Sequence, residues 1–280
     1  MRVLFFLAPS LVGFLIFFFL PFAGGLYYSV VDSPIGGRFV GVANYIALLG
    51  NPVFLKAGYN TLIFTAVGVP LNMLLSLGLA LLLDRSFYGR NMVRMAFIVP
   101  LVVPVASVVL VWQILFDING SLNAFISSLG LLPVDWMKTG FARLVVVTVY
   151  LWKNIGYNMV LFLAGLQSIP REYYEAADID GGGAWRKFTH ITLVYLTPTT
   201  FFVVVMSIIN SFKVFRETYL ISGAYPHDSI YLLQHYMNNK FASLDYQMLT
   251  SAAFIMAVFI YILVLFLFKI QAKVGSAMGG

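Results

Sequence analysis

The 280-residue chain contains no cysteine and few charged residues. Without thiols, the protein has neither a disulfide framework nor a thiolate metal site, and redox chemistry through sulfur is excluded. Charged residues make up 10% of the chain and hydrophobic residues 61%, a balance that would not keep a soluble fold of this size in solution. The composition therefore predicts a protein embedded in lipid.

Several catalytic and binding motifs are also absent. The sequence has no GxxxxGK[ST] loop for ATP, no HExxH or GxSxG motif, and no pair of aspartates within its apolar segments. His190, His227 and His235 lie in loops without ligand spacing, and we interpret them as surface or interfacial residues. The 17 basic residues form no block of five, which argues against nucleic acid as a partner. We therefore expect a chain that is not an enzyme and has no catalytic residues, metal or cofactor of its own.

What the sequence does contain is long apolar runs. A membrane-spanning helix needs about 20 apolar residues, and six segments meet this requirement, with approximate bounds 3–30, 61–83, 95–116, 144–166, 193–219 and 250–268. Their continuity excludes the alternating strands of a β-barrel, and the first is too long for a cleaved signal peptide. We therefore predict an all-α membrane protein, with a single transmembrane domain over residues 1–280.

Basic residues distinguish the two sides of the membrane. Loops 84–94 and 168–192 carry them at high density, as do the chain ends, and by the positive-inside rule these regions lie in the cytoplasm. The residues are Arg2, Arg85, Arg90, Arg94, Arg171, Arg186, Lys187, Lys269 and Lys273. Both termini are then predicted to be cytoplasmic.

The loop 168–192 has its own local signals. Ser168 is a good helix N-cap, Pro170 is tolerated in a first turn, and Glu172 suits the positive end of the helix dipole. A short helix is therefore expected to begin near residue 169. Three glycines at 181–183 end it, and a second helical stretch continues into the fifth membrane segment. The pattern predicts a helix, a sharp bend and a helix on the cytoplasmic side.

The same loop carries a family motif. Glu-Ala-Ala is followed by three residues, Gly, nine residues and Ile-x-Leu, so the loop resembles the EAA loop of permease subunits of binding-protein-dependent ABC importers. The motif residues are Glu175, Ala176, Ala177, Gly181, Ile191 and Leu193. The sequence departs from the family at Val194, where proline is expected, and at Gly182, which replaces a common alanine. Without the proline, we expect a straighter entry into the fifth membrane helix.

The resemblance implies a type I ABC importer permease fold with a cytoplasmic coupling helix. It implies that the loop fits a cleft on an ATP-hydrolysing subunit, through Glu175, Ala176, Ala177, Asp180, Gly181 and Gly182. The implied partners are a second homologous permease subunit, two ABC ATPase subunits that bind ATP and Mg, an extracytoplasmic solute-binding protein, a carbohydrate and the bilayer of a bacterial inner membrane. The alternative for the loop is a solvated amphipathic turn with a glycine C-cap.

The resemblance covers nearly the whole chain and points to the maltose-permease-like oligosaccharide branch. It implies substrate contacts on the fourth and fifth helices, at Lys153, Gly156, Tyr157, Ser207, Asn210, Ser211 and Val214. Lys153 lies well inside its helix, where an ionisable group has a pathway or pairing role. With Lys213 and Arg216, it leads to the hypothesis of an anionic saccharide. The alternatives are helix packing for the serines and asparagine, a snorkelling Lys153, and an ion pair between Arg216 and Glu217.

Two other functions compete with an importer subunit. A secondary transporter would need carboxylates for protons or sodium within its spans, and segments 61–83, 95–116 and 250–268 contain none. A non-transporting membrane scaffold or enzyme would leave the register of the EAA motif unexplained. The sequence therefore favours the transport subunit of an ATP-driven importer.

Overall fold

The computed structural model describes residues 2–278, with side chains from residue 6 to residue 273. This part of the chain is nearly all helical. Its α-helices are, in chain order, α1 (Arg2–Phe14), α2 (Leu20–Ser29), α3 (Ala43–Leu49), α4 (Pro52–Asp84), α5 (Arg90–Val102), α6 (Val105–Phe116), α7 (Ser121–Ser128), α8 (Ala142–Gln167), α9 (Arg171–Ile179), α10 (Ala184–Lys187), α11 (Leu193–Tyr195), α12 (Thr197–Lys213), α13 (Phe215–Ser222), α14 (Leu233–Ala242) and α15 (Tyr246–Met278). Short π-helical turns lie at Leu15–Phe19 and Phe188–Thr192, and a 3-10 turn lies at Asp228–Ile230.

Six helical stretches of the described chain are long and apolar enough to cross a membrane. They are Phe6–Ser29, Pro52–Asp84, Val105–Ser128, Ala142–Gln167, Thr197–Ser222 and Tyr246–Lys273. The prediction of an all-α membrane protein with six membrane helices is confirmed. In the described residues, strand pairing is limited to an isolated bridge between Val31 and Phe39.

Two of the predicted membrane segments are interrupted by prolines. Segment 95–116 is divided between α5 and α6, because Pro104 restricts Val103 to an extended conformation, with φ −72° and ψ 131°. In segment 193–219, Pro198 has no N–H to donate to the helix, and the chain turns at Leu196 before α12 begins. The entry into the fifth helix is therefore interrupted at Leu196, two residues after Val194, which stands where the family has proline.

The second membrane helix, α4, begins well before residue 61. The side-chain oxygen Oδ1 of Asn51 accepts hydrogen bonds from the main-chain N–H groups of Val53 (2.9 Å) and Phe54 (3.2 Å). Pro52 occupies the first helical position, where an N–H would have no partner within the helix. This N-cap extends the helix beyond its apolar stretch.

Residue contacts divide the chain into two compact units. The first comprises the chain up to Tyr59 together with Leu232–Ile262. In this unit the Tyr45 hydroxyl donates to the buried Ser29 hydroxyl oxygen (2.7 Å). The ring of Phe54 packs edge-on against that of Tyr236, with centroids 5.5 Å apart.

His235 of α14 is fully buried in the first unit, so its interpretation as a surface or interfacial residue is wrong. Its Nδ1 accepts a hydrogen bond from the main-chain N–H of Leu232 (3.2 Å), at the start of α14. Burial lowers the pKa of His235 to about 4. The imidazole is therefore neutral near pH 7.

The second unit comprises Asn60–Tyr231 and the chain from Leu263. Its apolar core joins α4, α8 and α12, and consists of Ala80, Leu83, Met159, Phe162, Leu163, Leu166, Ile169, Leu196 and Val203. Buried polar side chains join the same three helices. Asn158 Nδ2 donates to Asn72 Oδ1 and to Ser207 Oγ, both at 2.7 Å. Such bonds between membrane helices take the place of hydrogen bonds to water.

Candidate functional site

The loop 168–192 folds as a helix, a bend and a second helix. Helix α9 begins at Arg171, after Pro170 in an extended conformation. Ser168 is not its N-cap. Instead Ser168 ends α8, and its hydroxyl donates to the carbonyl of Gly165 (2.7 Å). The predicted cap is therefore wrong, because the extended Pro170 separates Ser168 from the start of α9.

Gly181 and Gly182 form the bend. Gly181 has φ +71°, a left-handed conformation that glycine adopts without strain. The N–H of Gly182 donates to the carbonyl of Ala177 (2.7 Å), and a Cβ at Gly182 would lie 2.8 Å from the same oxygen. The glycine that departs from the family's common alanine therefore fits this close turn.

Side-chain contacts fix the second helix against the first. Lys187 Nζ forms an ion pair with Asp178 Oδ1 at 2.6 Å, and the hydroxyls of Tyr174 and Thr192 lie 2.9 Å apart. The first contact joins α10 to α9, and the second joins the π-helical turn to α9. The bend is therefore a defined angle rather than a loose connection.

The predicted docking residues form part of an exposed surface. Glu175, Ala176, Asp180 and Gly181 are exposed, and Ala177 and Gly182 are half-buried. Two apolar side chains of the same loop are also exposed and were not among the predicted docking residues: Ile179 (88% exposed) and Trp185 (76% exposed). Clusters of exposed apolar side chains are typical of protein contact surfaces. Local sequence patterns do not distinguish an exposed apolar side chain of a loop from a buried one.

A second candidate site is a narrow cavity between α8 and the two segments α12 and α13. Its volume is about 50 Å³, which accommodates a few water molecules and not a sugar ring. The lining residues are Val149, Tyr150, Lys153, Asn154, Asn210, Lys213, Val214, Arg216 and Glu217. In this conformation the cavity is therefore closed to a saccharide.

The cavity wall carries four ionisable side chains. Lys153 Nζ forms an ion pair with Glu217 Oε1. The other carboxylate oxygen, Oε2, is buried and has no hydrogen-bond partner among the residues described. Lys213 and Arg216 are exposed, and neither forms an ion pair within the part of the chain that the structure describes. Three cations and one carboxylate leave two net positive charges on the wall.

Part of this cavity is predicted by the sequence. Of the predicted pathway residues, the structure brings together Lys153, Asn210, Lys213, Val214 and Arg216. The missed lining residues are Val149, Tyr150, Asn154 and Glu217. Glu217 could have been identified from the sequence, because an acidic residue within an apolar membrane segment requires a partner of opposite charge.

The remaining predicted pathway residues lie elsewhere. A Cβ at Gly156 would overlap the carbonyl oxygen of Phe97, so this glycine is a backbone contact between α8 and α5. Ser207 accepts the hydrogen bond from Asn158, and the Ser211 hydroxyl lies 3.0 Å from that of Thr65. Tyr157 is half-buried on α8 and does not line the cavity. Helix packing, the alternative interpretation, describes the glycine and both serines in this conformation.

The alternative pairing of Arg216 with Glu217 is wrong. Glu217 pairs with Lys153, which is 64 residues away in sequence and reaches it from α8. Lys153 therefore forms a pair inside the bundle and does not snorkel. Only the arrangement of the helices brings these two charges together.

The chain matches the family model described as "Binding-protein-dependent transport system inner membrane component" over residues 68–276. The sn-glycerol-3-phosphate transport system permease protein UgpA of Pectobacterium atrosepticum is 38% identical over 210 residues, which cover 73% of this chain and 70% of that protein. The arabinooligosaccharides transport system permease protein AraP of Bacillus subtilis is 36% identical over 226 residues, which cover 77% of this chain and 70% of that protein.

A solved structure has the same fold. It is the crystal structure of a bacterial ABC transporter involved in the import of the acidic polysaccharide alginate, and one of its chains matches with a TM-score of 0.85 at 22% identity, covering 97% of this chain and 95% of that one. At this identity the likeness shows the fold alone, and the predicted type I importer permease fold is confirmed. Taken with the family model and the relatives, it establishes that the chain belongs to the binding-protein-dependent transport system inner membrane components, the permease subunits of ABC importers.

Proposed function

We propose that this permease subunit translocates an anionic carbohydrate, either a sugar acid or a sugar phosphate. The observation that carries the proposal is the pair of exposed cations, Lys213 and Arg216, on the wall of the cavity beside Lys153. The one carboxylate of the wall, on Glu217, already neutralises Lys153. The two remaining cations are therefore available to an acid group of a substrate.

The other lining groups suit a polyhydroxylated substrate. Asn154 and Asn210 are half-buried and supply amide donors and acceptors beside the cations. Neutral amide groups of this kind form hydrogen bonds with the hydroxyl groups of a sugar and fix its orientation. Residues of this kind therefore complement the cations, and the acid group decides specificity.

The names of the relatives support both parts of the proposal. One relative is named for sn-glycerol 3-phosphate, a phosphorylated polyol, and another for arabino-oligosaccharides, which are chains of sugars. Both ligands named there carry hydroxyl groups, and sn-glycerol 3-phosphate also carries an anionic group. We extend to this chain the combination of a polyol and an acid.

For energy, the subunit depends on partners. We propose that the surface of Glu175, Ala176, Asp180 and Trp185 docks in a cleft of an ATPase subunit, and that two such subunits bind the ATP and Mg. In this arrangement the loop 168–192 and both chain termini are cytoplasmic. A second homologous permease and an extracytoplasmic binding protein complete the importer, so this chain needs no ATPase site of its own.

The mechanism is alternating access. The binding protein releases the substrate at the outer face while the ATPase subunits hold the coupling loops together. The closed cavity between α8 and α12 then opens on one side of the membrane at a time. Because the bend at Gly181 and Gly182 fixes the angle of the docked helix, movement of the ATPase cleft is passed to α12 rather than absorbed in the loop.

The proposal is tested by uptake into proteoliposomes that contain the complete importer. Trigalacturonate and its methyl ester form a matched pair, because esterification removes the carboxylate charges and keeps the sugar chain. sn-Glycerol 3-phosphate and glycerol form a second pair, which differs by the phosphate group. We expect uptake of at least one acid, and a loss of about tenfold in the double variant Lys213→Ala/Arg216→Ala. Lys269→Ala removes an exposed cation away from the cavity and serves as the control. Equal uptake of an acid and its neutral partner by the wild type would contradict the proposal.

A further inference from the structure

The ion pair of Lys153 and Glu217 is a feature of the cavity that anion attraction alone does not explain. It links α8 to α13, and both side chains are largely buried, with exposed fractions of 19% for Lys153 and 5% for Glu217. A carboxylate beside the very cations that would attract an acidic substrate opposes its binding. Buried ion pairs in membrane helices are also unfavourable to form and are retained for a function.

The carboxylate of Glu217 is incompletely satisfied. Oε1 contacts Lys153, whereas Oε2 is buried without a hydrogen-bond partner among the residues described. An ion pair that serves only to hold helices together gains most when all lone pairs are occupied. A carboxylate attached through one oxygen is easier to replace by another carboxylate or by a phosphate.

Lys153 and Glu217 belong to helices that pack against different neighbours. Lys153 belongs to α8, which packs along α12 and α5, whereas Glu217 belongs to α13, which packs chiefly against α6. Gln113 of α6 donates a hydrogen bond from Nε2 to the carbonyl of Leu220 (3.1 Å) and so ties α13 to α6. The fifth membrane helix is interrupted at Val214, between α12 and α13. A movement of α13 together with α6 would therefore part Glu217 from Lys153 and break only the smaller contact between α13 and α8.

We propose that Glu217 is an internal counter-ion that an acid group of the substrate displaces from Lys153. This inference rests on the proposed function and names the residue that sets its charge specificity. When the substrate acid takes the place of Glu217, Lys153 stays neutralised throughout. The displaced carboxylate finds Arg216 and Lys213 on the same wall, so it pairs with one of them while the other stays available to the substrate.

The exchange explains selectivity and release together. A neutral sugar has no group that replaces a carboxylate on an ammonium, so it leaves the pair intact and the cavity closed. An acidic sugar opens the pair, and the return of Glu217 to Lys153 then expels it. Glu217 thereby weakens binding of the acid to a level that permits transport.

The test is equilibrium binding to the assembled importer in nanodiscs without its binding protein, because that protein has a specificity of its own. The probes are trigalacturonate with its methyl ester, and sn-glycerol 3-phosphate with glycerol. We expect Glu217→Gln to tighten binding of the acid about tenfold and to leave the neutral partner unchanged. Lys153→Met should reduce the preference for the acid to what Lys213 and Arg216 supply, and adding Glu217→Gln to it should tighten binding of the acid much less than Glu217→Gln does alone.

A purely structural pair gives a different pattern. In that case the single variants lose thermal stability, the exchanged variant Lys153→Glu/Glu217→Lys regains it, and Glu217→Gln binds the acid no more tightly than the wild type. This outcome overturns the exchange and leaves the proposed function intact. Failure of the wild type to prefer either acid over its neutral partner overturns the proposed function as well. If Glu217→Gln does not assemble, Glu217→Asp answers the same question, because its shorter side chain weakens the contact with Lys153 and should also tighten binding of the acid.

Discussion

Gly156 of α8 lies directly against the carbonyl oxygen of Phe97 in α5, so that the two helices touch backbone to backbone. There is no room for a side chain at this point. Close approach through a small residue is a common way for membrane helices to associate, because it increases packing contacts where the hydrophobic effect is absent. The contact places α5 beside the part of α8 that carries Lys153.

We expect Gly156→Ala to destabilise the subunit by about 1 to 3 kcal/mol, because the added methyl group must push the α5 backbone away. The measurement is thermal unfolding of the purified complex. Gly78→Ala on α4 is the matched control, since a Cβ at Gly78 meets nothing within 4 Å. It should leave stability unchanged or raise it slightly. Equal stability of the two variants would show that α5 and α8 are not in close contact.

Replacing Asn158 by Leu should lower stability by about 1 to 2 kcal/mol. The change removes the donor for both Asn72 and Ser207, and it leaves two buried oxygens without that bond. A double-mutant cycle with Asn72→Ala isolates the interaction. The double variant should lose less stability than the sum of the losses in the two single variants. Strict additivity would mean that the hydrogen bond contributes nothing.

Gly181→Leu should uncouple ATP hydrolysis from uptake while the subunit still inserts into the membrane. A leucine at φ +71° is strained by about 1 to 2 kcal/mol, so the bend would open and the docked helix would lose its angle. Glu175→Lys should uncouple as well, by reversing an exposed charge on the docking surface.

The measurement is ATPase activity and uptake on the same proteoliposomes. Gly183→Ser is the control, since Gly183 has φ −67° and open space around it, and serine is a good residue at the start of a helix. It should couple as the wild type does. Wild-type uptake by Gly181→Leu would contradict the role given to the bend.

Exposed Ile179 and Trp185 should contribute to binding of the ATPase subunit. We expect the double variant Ile179→Ser/Trp185→Ser to lose the ATPase during purification, because it removes two apolar side chains from the contact surface. Tyr88→Ser, which changes a fully exposed side chain in a different loop, is the control. Co-purification at the wild-type level would place the contact surface elsewhere.

Stability of the first unit should fall as the pH is lowered from about 6.5 to about 4. The pKa of His235 is lowered to about 4 by burial, while in the unfolded chain it is near 6.5. Between these values the unfolded state binds the proton and the folded state does not, so acid favours unfolding. His235→Gln should flatten this dependence in a thermal shift series, and an unchanged pH profile would contradict it.

Much of the fold follows from the sequence because its signals are local. Six apolar runs predict six membrane helices, and the glycines after Glu175 predict the bend of the coupling loop. Prolines 104 and 198 also act locally, yet the breaks they cause were missed within long apolar segments. Ser168 was assigned to the wrong helix, because its hydroxyl donates to the carbonyl of Gly165 in the preceding helix and Pro170 stands between it and α9.

The cavity depends on contacts between helices, and the sequence predicts it only in part. The resemblance placed Lys153, Ser207 and Ser211 in one pathway. The positive charges of Lys213 and Arg216 added these two residues to it. The structure turns those serines toward other helices, because helix rotation decides which face meets a neighbour. The pairing of Glu217 with Arg216, suggested from the sequence, was wrong for a similar reason. Adjacent residues on a helix point in different directions.

By itself the sequence determined that the protein is embedded in lipid, how many membrane helices it has and where the loop with the EAA motif lies. Composition and short-range spacing encode each of these. Only the tertiary structure decided which charges meet. The free energy of an ion in a low-dielectric interior depends on the atoms around it, and for Lys153 and Glu217 those atoms come from helices far apart in the chain.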